Sequence, residues 1–127
     1  MPRFLPLTAL IALLVASGCG DDEDGSGRTA TVESGKPITV IADEYSFDPE
    51  TIILTGGGEL EVELDNRGTL AHNLRVFDGA TDVGGTPTFV GGEPRAGRVR
   101  LGAGAYELVC TVGDHADLGM TGKLEVR

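Results

Sequence analysis

Residues 110–120 read CTVGDHADLGM and set Cys110, His115 and Met120 at five-residue intervals. The whole chain holds two Cys, two His and two Met, and one Met is the initiator. A chain this poor in sulfur and imidazole has placed one of each in a single short segment. Thiolate, imidazole and thioether are all donors to soft or borderline transition metals, so metal binding is the chemistry they share. His72 is the only other imidazole.

Two imidazoles, one thiolate and a thioether on a weak axial bond form the donor set of a blue-copper site. The thiolate couples strongly to copper, and the imidazoles suit both Cu(I) and Cu(II). A weak Met bond leaves the site nearly three-coordinate, so one electron can come or go with little rearrangement. Zinc is the main rival metal. It prefers four firm ligands, so Asp114 or Asp117 would have to replace Met120. Taken singly, His72 reads as a hydrogen-bonded core histidine, Cys110 as a buried apolar thiol and Met120 as core filler. Only their joint placement argues for a metal.

The elements that must position these residues are strands. Glu59-Leu60-Glu61-Val62-Glu63-Leu64-Asp65 alternates without a break, with the apolar residues on one face and four acids on the other. Further strands are expected over Ile38–Ala42, Thr51–Thr55, His72–Phe77, Arg98–Leu101, Tyr106–Cys110 and Lys123–Val126. Gly56-Gly57-Gly58, Asn66-Arg67-Gly68 and Gly102-Ala103-Gly104 separate them as turns. Residues 78–94 read as the longest irregular stretch. Short strands punctuated in this way predict an all-β, antiparallel sandwich. Side chains alternate along a strand. Cys110 therefore shares a face with Tyr106 and Leu108, and His72 shares one with Leu74 and Val76. Both donors point inward at strand ends, and they meet at one pole if the two strands are neighbours. Arg98 and Arg100 can pair with the acid strip if their strand adjoins it.

The pattern resembles the cupredoxins, the small blue-copper proteins. The stretch Tyr106–Val126 carries most of the resemblance. His72-Asn73 supplies the first-ligand motif, and Tyr45-Ser46-Phe47-Asp48-Pro49 looks like the family's early strand. The likeness spans residues 38–126, and its Cys-x4-His-x4-Met spacing is similar to that of auracyanin, rusticyanin and sulfocyanin. It implies a Greek-key β-sandwich with one copper near one end, held by His72, Cys110, His115 and Met120. It also implies that His115 lies nearest solvent, on the route of the electron. Asn73 is implied to tie its strand to Thr111, the residue after the Cys ligand, with the Asn73 backbone N–H near the sulfur. Such outer contacts tune a site and hold its ligands. Two departures stand out. Gly113-Asp114 replaces the Pro-Gly that many relatives carry before the second His, and Gly102-Ala103-Gly104 stands where a Pro-Gly turn is common.

The chain begins differently. Met1 and Arg3 form a short positive region, and an apolar run of about 12 residues follows from Leu5 to Ala16. That run is too short for a spanning helix, which needs about 20 residues. Ala16-Ser17-Gly18-Cys19 resembles a bacterial lipobox. Residues 1–18 then form a lipoprotein signal peptide, and Cys19 carries the lipid. The alternative is an ordinary secreted protein with a free Cys19. Residues 19–35, rich in acids and almost without apolar groups, read as a disordered tether. Its reach is roughly 20–25 Å. The cupredoxin-like domain is expected over 36–127.

The chain has 127 residues, a formal net charge of -10 and 20 glycines. One small domain is expected, and no basic patch exists to attract nucleic acid. The expected partners are redox proteins, such as a cytochrome or an oxidase, and the membrane through Cys19. The domain is expected to act as a monomer. Two histidines leave none for the second copper of a multicopper oxidase or a copper nitrite reductase, and one loop Cys excludes a binuclear copper centre. The sequence therefore predicts an extracytoplasmic electron carrier, not an enzyme. A copper-delivery module of the same fold is the alternative.

Overall fold

The computed structural model describes residues 27–127. Ten strands appear in chain order: β1 Thr29–Glu33, β2 Pro37–Asp43, β3 Ser46–Asp48, β4 Thr51–Thr55, β5 Glu59–Asn66, β6 Arg75–Asp78, β7 Thr81–Gly85, β8 Arg95–Arg100, β9 Gly104–Val109 and β10 Thr121–Val126. They form a six-stranded sheet, β1-β4-β10-β9-β6-β7, and a four-stranded sheet, β3-β2-β5-β8. The all-β sandwich expected from the alternation is present.

Period-two patterning explains how the sheets face each other. Leu60, Val62 and Leu64 of β5 are buried, with Val40 and Ala42 of β2 beside them. From the larger sheet come Ile52, Leu54, Val76, Leu108 and Leu124. The acids of β5 lie on the outer face, where Arg98 reaches Glu61 at 3.1 Å and Arg100 reaches Glu59 at 3.8 Å across the β5–β8 pair. These exposed pairs add little stability individually.

The pairing is mixed, not wholly antiparallel: β1–β4, β4–β10 and β2–β5 are parallel. The cause is the alternation of consecutive strands between sheets. A parallel pair needs a long crossover, and here the intervening chain visits the opposite sheet to supply it.

Three differences from the sequence reading bear on the ends of the site. Thr29–Glu33, expected to belong to a tether over 19–35, is instead β1, an edge strand on β4. An edge strand with one half-buried face needs few apolar residues, so its TATVE sequence resembled a linker. Residues 78–94 are not irregular throughout, because they contain β7. Gly85 lets the backbone approach the Leu74 carbonyl, and Gly97 of β8 approaches Gly85 so closely that a Cβ would not fit. Finally, the strand expected from His72 begins only at Arg75. His72 instead forms an isolated bridge to Phe89, because the Thr86 hydroxyl accepts the Leu74 N–H at 3.0 Å and interrupts the ladder. The signal peptide and Cys19 lie outside the described residues.

Candidate metal centre

The site forms where β9 ends and the chain returns into β10. Segment 110–120 is a hairpin loop with a closed neck: the Cys110 N–H donates to the Met120 carbonyl at 3.1 Å. Inside the loop, the His115 N–H donates to Val112 O at 3.0 Å, and the Met120 N–H donates to His115 O at 3.0 Å. Met120 is thus hydrogen-bonded through backbone to both Cys110 and His115. Gly113 has φ +48°, a value that proline's ring forbids. The Gly113-Asp114 departure is therefore built into the loop's path.

His72 arrives from the neighbouring strand. β6 and β9 pair antiparallel, with Arg75 opposite Val109 and Val76 opposite Leu108. Continued by one step, that register brings Leu74 beside Cys110, and His72 beyond it to the loop. Asn73 fastens the junction. Its Oδ1 accepts the Thr111 N–H at 2.8 Å, and its Nδ2 donates to Thr111 Oγ1 and to Thr88 Oγ1, each at 2.8 Å. Asn73 and Thr111 therefore stand together as the resemblance implied.

His72, Cys110 and His115 bring one donor atom each to within 4.8 Å of one another. Cys110 Sγ lies 3.9 Å from His72 Nδ1 and 3.6 Å from His115 Nδ1. These separations are too long for firm hydrogen bonds. They do match three ligands about one ion: bonds of about 2.0–2.3 Å in a trigonal or tetrahedral arrangement set neighbouring donors roughly 3.5–4 Å apart. Met120 is wholly buried and packs in the same core cluster as Cys110. His72 and Cys110 are likewise fully buried, whereas His115 keeps 7 % of its surface exposed. That residual opening makes His115 the donor nearest solvent.

Asp114 and Asp117 are exposed, and no carboxylate joins the three-residue cluster among the described residues. Zinc would therefore lack a firm fourth ligand. The donors present, two imidazoles, a thiolate and a buried thioether nearby, fit copper better.

Two residues that the sequence did not single out shape the site. Tyr45 packs its ring edge-on to His115, with centroids 5.0 Å apart. Glu44 Oε1 lies 3.2 Å from His72 Nε2 and accepts the N–H groups of Thr69 and Leu70 at 2.9 and 2.8 Å. The Leu70 N–H above all, with contributions from Asp43 and His72, holds the Glu44 carboxyl down to about 2. The sequence marks Tyr45 only as part of a strand motif. Glu44 carried no periodic or motif signal at all.

Leu70 and Leu118 are exposed near the loop, which leaves apolar surface around the His115 end. No family model matches the chain. A curated relative, the copper-resistant cuproprotein CopI of Rubrivivax gelatinosus, is 25% identical over 158 residues, covering 99% of this chain and 96% of that protein. Among solved structures, auracyanin B superposes with a TM-score of 0.68 at 18% identity, covering 74% of this chain and 90% of the other. Auracyanin from Roseiflexus castenholzii gives 0.66 at 16% identity, covering 74% and 98%. Rusticyanin from Thiobacillus ferrooxidans gives 0.59 at 23% identity, covering 80% and 86%.

Proposed function

We propose that this chain, which has the cupredoxin fold, holds one type 1 copper on His72, Cys110, His115 and Met120 and carries single electrons outside the cytoplasm. The observation that carries the reading is the buried cluster of three donor atoms, from His72, Cys110 and His115, all within 4.8 Å of one another. Bound there, copper supplies a one-electron Cu(I)/Cu(II) couple. The protein's own part is to hold the donors still. The closed neck at Cys110 and Met120 and the Asn73 clasp fix the donor positions before any metal arrives. Burial of His72, Cys110 and Met120 excludes water from three sides, and the slight exposure of His115 leaves one approach for a redox partner. Leu70 and Leu118 give that partner an apolar landing.

The exported location rests on the apolar leader. Attachment to the membrane rests on Cys19 in its lipobox-like setting. With β1 starting at Thr29, the stretch between Cys19 and the folded domain is shorter than the 19–35 tether read from the sequence. The domain would then sit close to the membrane surface.

The relative's description as copper-resistant favours a second reading, in which the same site sequesters or delivers copper. Both readings meet in one experiment. Cu(II) is added to the purified protein, the visible spectrum is recorded, and the sample is cycled through reduction and oxidation. A carrier shows an intense thiolate-to-copper band with one copper per chain, and the band returns after each cycle. A delivery module loses its metal on reduction. A colourless protein ends both readings.

A further inference from the structure

The geometry points to Glu44 as a positioning residue for the proposed copper: its carboxylate fixes His72 from behind and favours the oxidised metal. The inference rests on the copper reading above and adds a determinant that lies outside the four donors.

The argument begins with one oxygen atom. Glu44 Oε1 accepts two backbone N–H groups, from Thr69 at 2.9 Å and Leu70 at 2.8 Å, and meets His72 Nε2 at 3.2 Å. The backbone bonds anchor the carboxylate independently of the histidine. The chain also leaves room for it: a Cβ on Gly68 would strike the Glu44 carboxylate. Gly68 thus does more than close a turn, since the 68–70 segment is wrapped around this acid.

The consequence for His72 follows from hydrogen-bond roles. An ionised carboxylate only accepts, so Nε2 must carry the ring hydrogen. Nδ1 is then left with its lone pair, and Nδ1 is the atom that faces Cys110 Sγ at 3.9 Å. Glu44 therefore selects the ligating tautomer and fixes the ring's orientation before metal binds. His72 has no exposed surface and the Glu44 side chain keeps only 26% of its own. The negative charge thus sits one imidazole away from the metal and partly out of reach of solvent screening.

A negative charge at that place stabilises the more positive oxidation state more strongly. A hydrogen bond to an anion also makes the imidazole a better donor. When a single electron passes to or from a redox partner, no bond to Glu44 forms or breaks and no proton moves. The carboxylate changes only the energy gap between the two states.

Glu44→Gln isolates the charge, because the amide oxygen can still accept all three N–H groups. Loss of an outer partner of this kind ordinarily weakens metal binding about 10–100-fold. Chelator competition with Cu(II) and Cu(I) separately should show Cu(II) weakened about tenfold more than Cu(I). The reduction potential should rise by about 59 mV for each tenfold of that ratio. The thiolate band should persist. An unchanged or lowered potential overturns the inference. A second measurement needs no variant: in the Cu(I)-loaded wild type, the His72 Nε2 proton should exchange slowly in nitrogen-resolved NMR. A proton found on Nδ1, or an Nε2 proton exchanging as fast as that of a free imidazole, overturns it even if Glu44→Gln fails to fold. If the wild type binds no copper, the proposed function falls as well. If it binds copper and the ratio is insensitive to Glu44→Gln, only the role of Glu44 falls.

Discussion

The two histidines occupy opposite kinds of surroundings. His72 extends from a strand, has no exposed surface, bridges to Phe89 by two backbone bonds of 3.1 Å, and has a carboxylate fixed behind its ring. His115 rides on a hairpin loop, keeps a solvent-facing margin, and meets an aromatic edge at Tyr45. Yet the two rings stand only 5.0 Å apart, centroid to centroid. The difference separates two duties that one metal site must combine. One imidazole is tied to the fold and sets the geometry. The other is tied to the loop and meets the outside. Cys110 stands between them and touches both.

Removing each ring in turn tests that division most severely. His72→Gly and His115→Gly should both abolish the native visible band. Adding imidazole to His115→Gly should restore a coloured copper site, because the vacated place opens toward solvent. His72→Gly should not be rescued, because its place is sealed. It should also lose about 2–4 kcal/mol of stability, through the buried cavity and the stranded hydrogen-bond partners. Spectra with and without imidazole, together with urea unfolding, measure both effects. Equal rescue of the two variants would dissolve the comparison.

Asn73 joins the two halves, so cutting it should let them drift apart. Asn73→Ala removes three hydrogen bonds of 2.8 Å from a buried position. The expected loss is about 2–3 kcal/mol, at roughly 1 kcal/mol per bond, together with a broadened or shifted thiolate band. Urea unfolding of the metal-free and copper forms would separate the two. A loss seen only in the copper form would place Asn73 among the groups that hold the metal, not the fold.

Met120 should matter to the metal more than to the fold. Met120→Leu nearly conserves volume in a closed core, so stability should change by less than about 1.5 kcal/mol. A coloured site should survive with a raised potential, as the thioether no longer reaches the metal. If spectrum and potential both matched the wild type, Met120 would not be an axial ligand, and the site would rest on the two histidines and Cys110 alone.

The histidine on the loop was easier to find in the sequence than the support behind the other. The five-residue spacing from Cys110 to His115 to Met120 is local, so their proximity needs only a short hairpin. The inward aim of Cys110 followed from strand parity with Leu108, and both are fully buried. His72 was placed correctly by the same parity with Leu74 and Val76, although the regular strand starts only at Arg75. Glu44 was not visible, because its contact with His72 spans 28 residues and depends on how a loop folds around one oxygen. Strand β1 was hidden for a different reason. It pairs through backbone atoms at a sheet edge, and its alternating polar residues look the same in a tether. Strand β7 was hidden by its glycines, which serve close backbone approach and otherwise signal a loop.

The smallest expected effect contrasts two acids, one on each side of the metal. Asp114 adjoins His115 in the sequence but is exposed on the loop. Glu44 adjoins His72 in space and is held by two backbone donors. A negative charge beside the metal should favour the oxidised site, so Asp114→Asn should raise the potential, in the same direction as Glu44→Gln. Its effect should be worth less than about 1 kcal/mol, as for other exposed charge interactions. Salt then separates the two acids. An exposed charge is screened over about 10 Å at 0.1 M ionic strength, so the Asp114 effect should fade as salt is added. The Glu44 effect should persist, because it reaches the metal through a hydrogen bond and the fully buried His72 ring and not through open solvent. A voltammetric titration of both variants against salt would show one line converging on the wild type and one running parallel to it. Two converging lines would mean that Glu44 acts as a surface charge, and that His72 is no better shielded than His115.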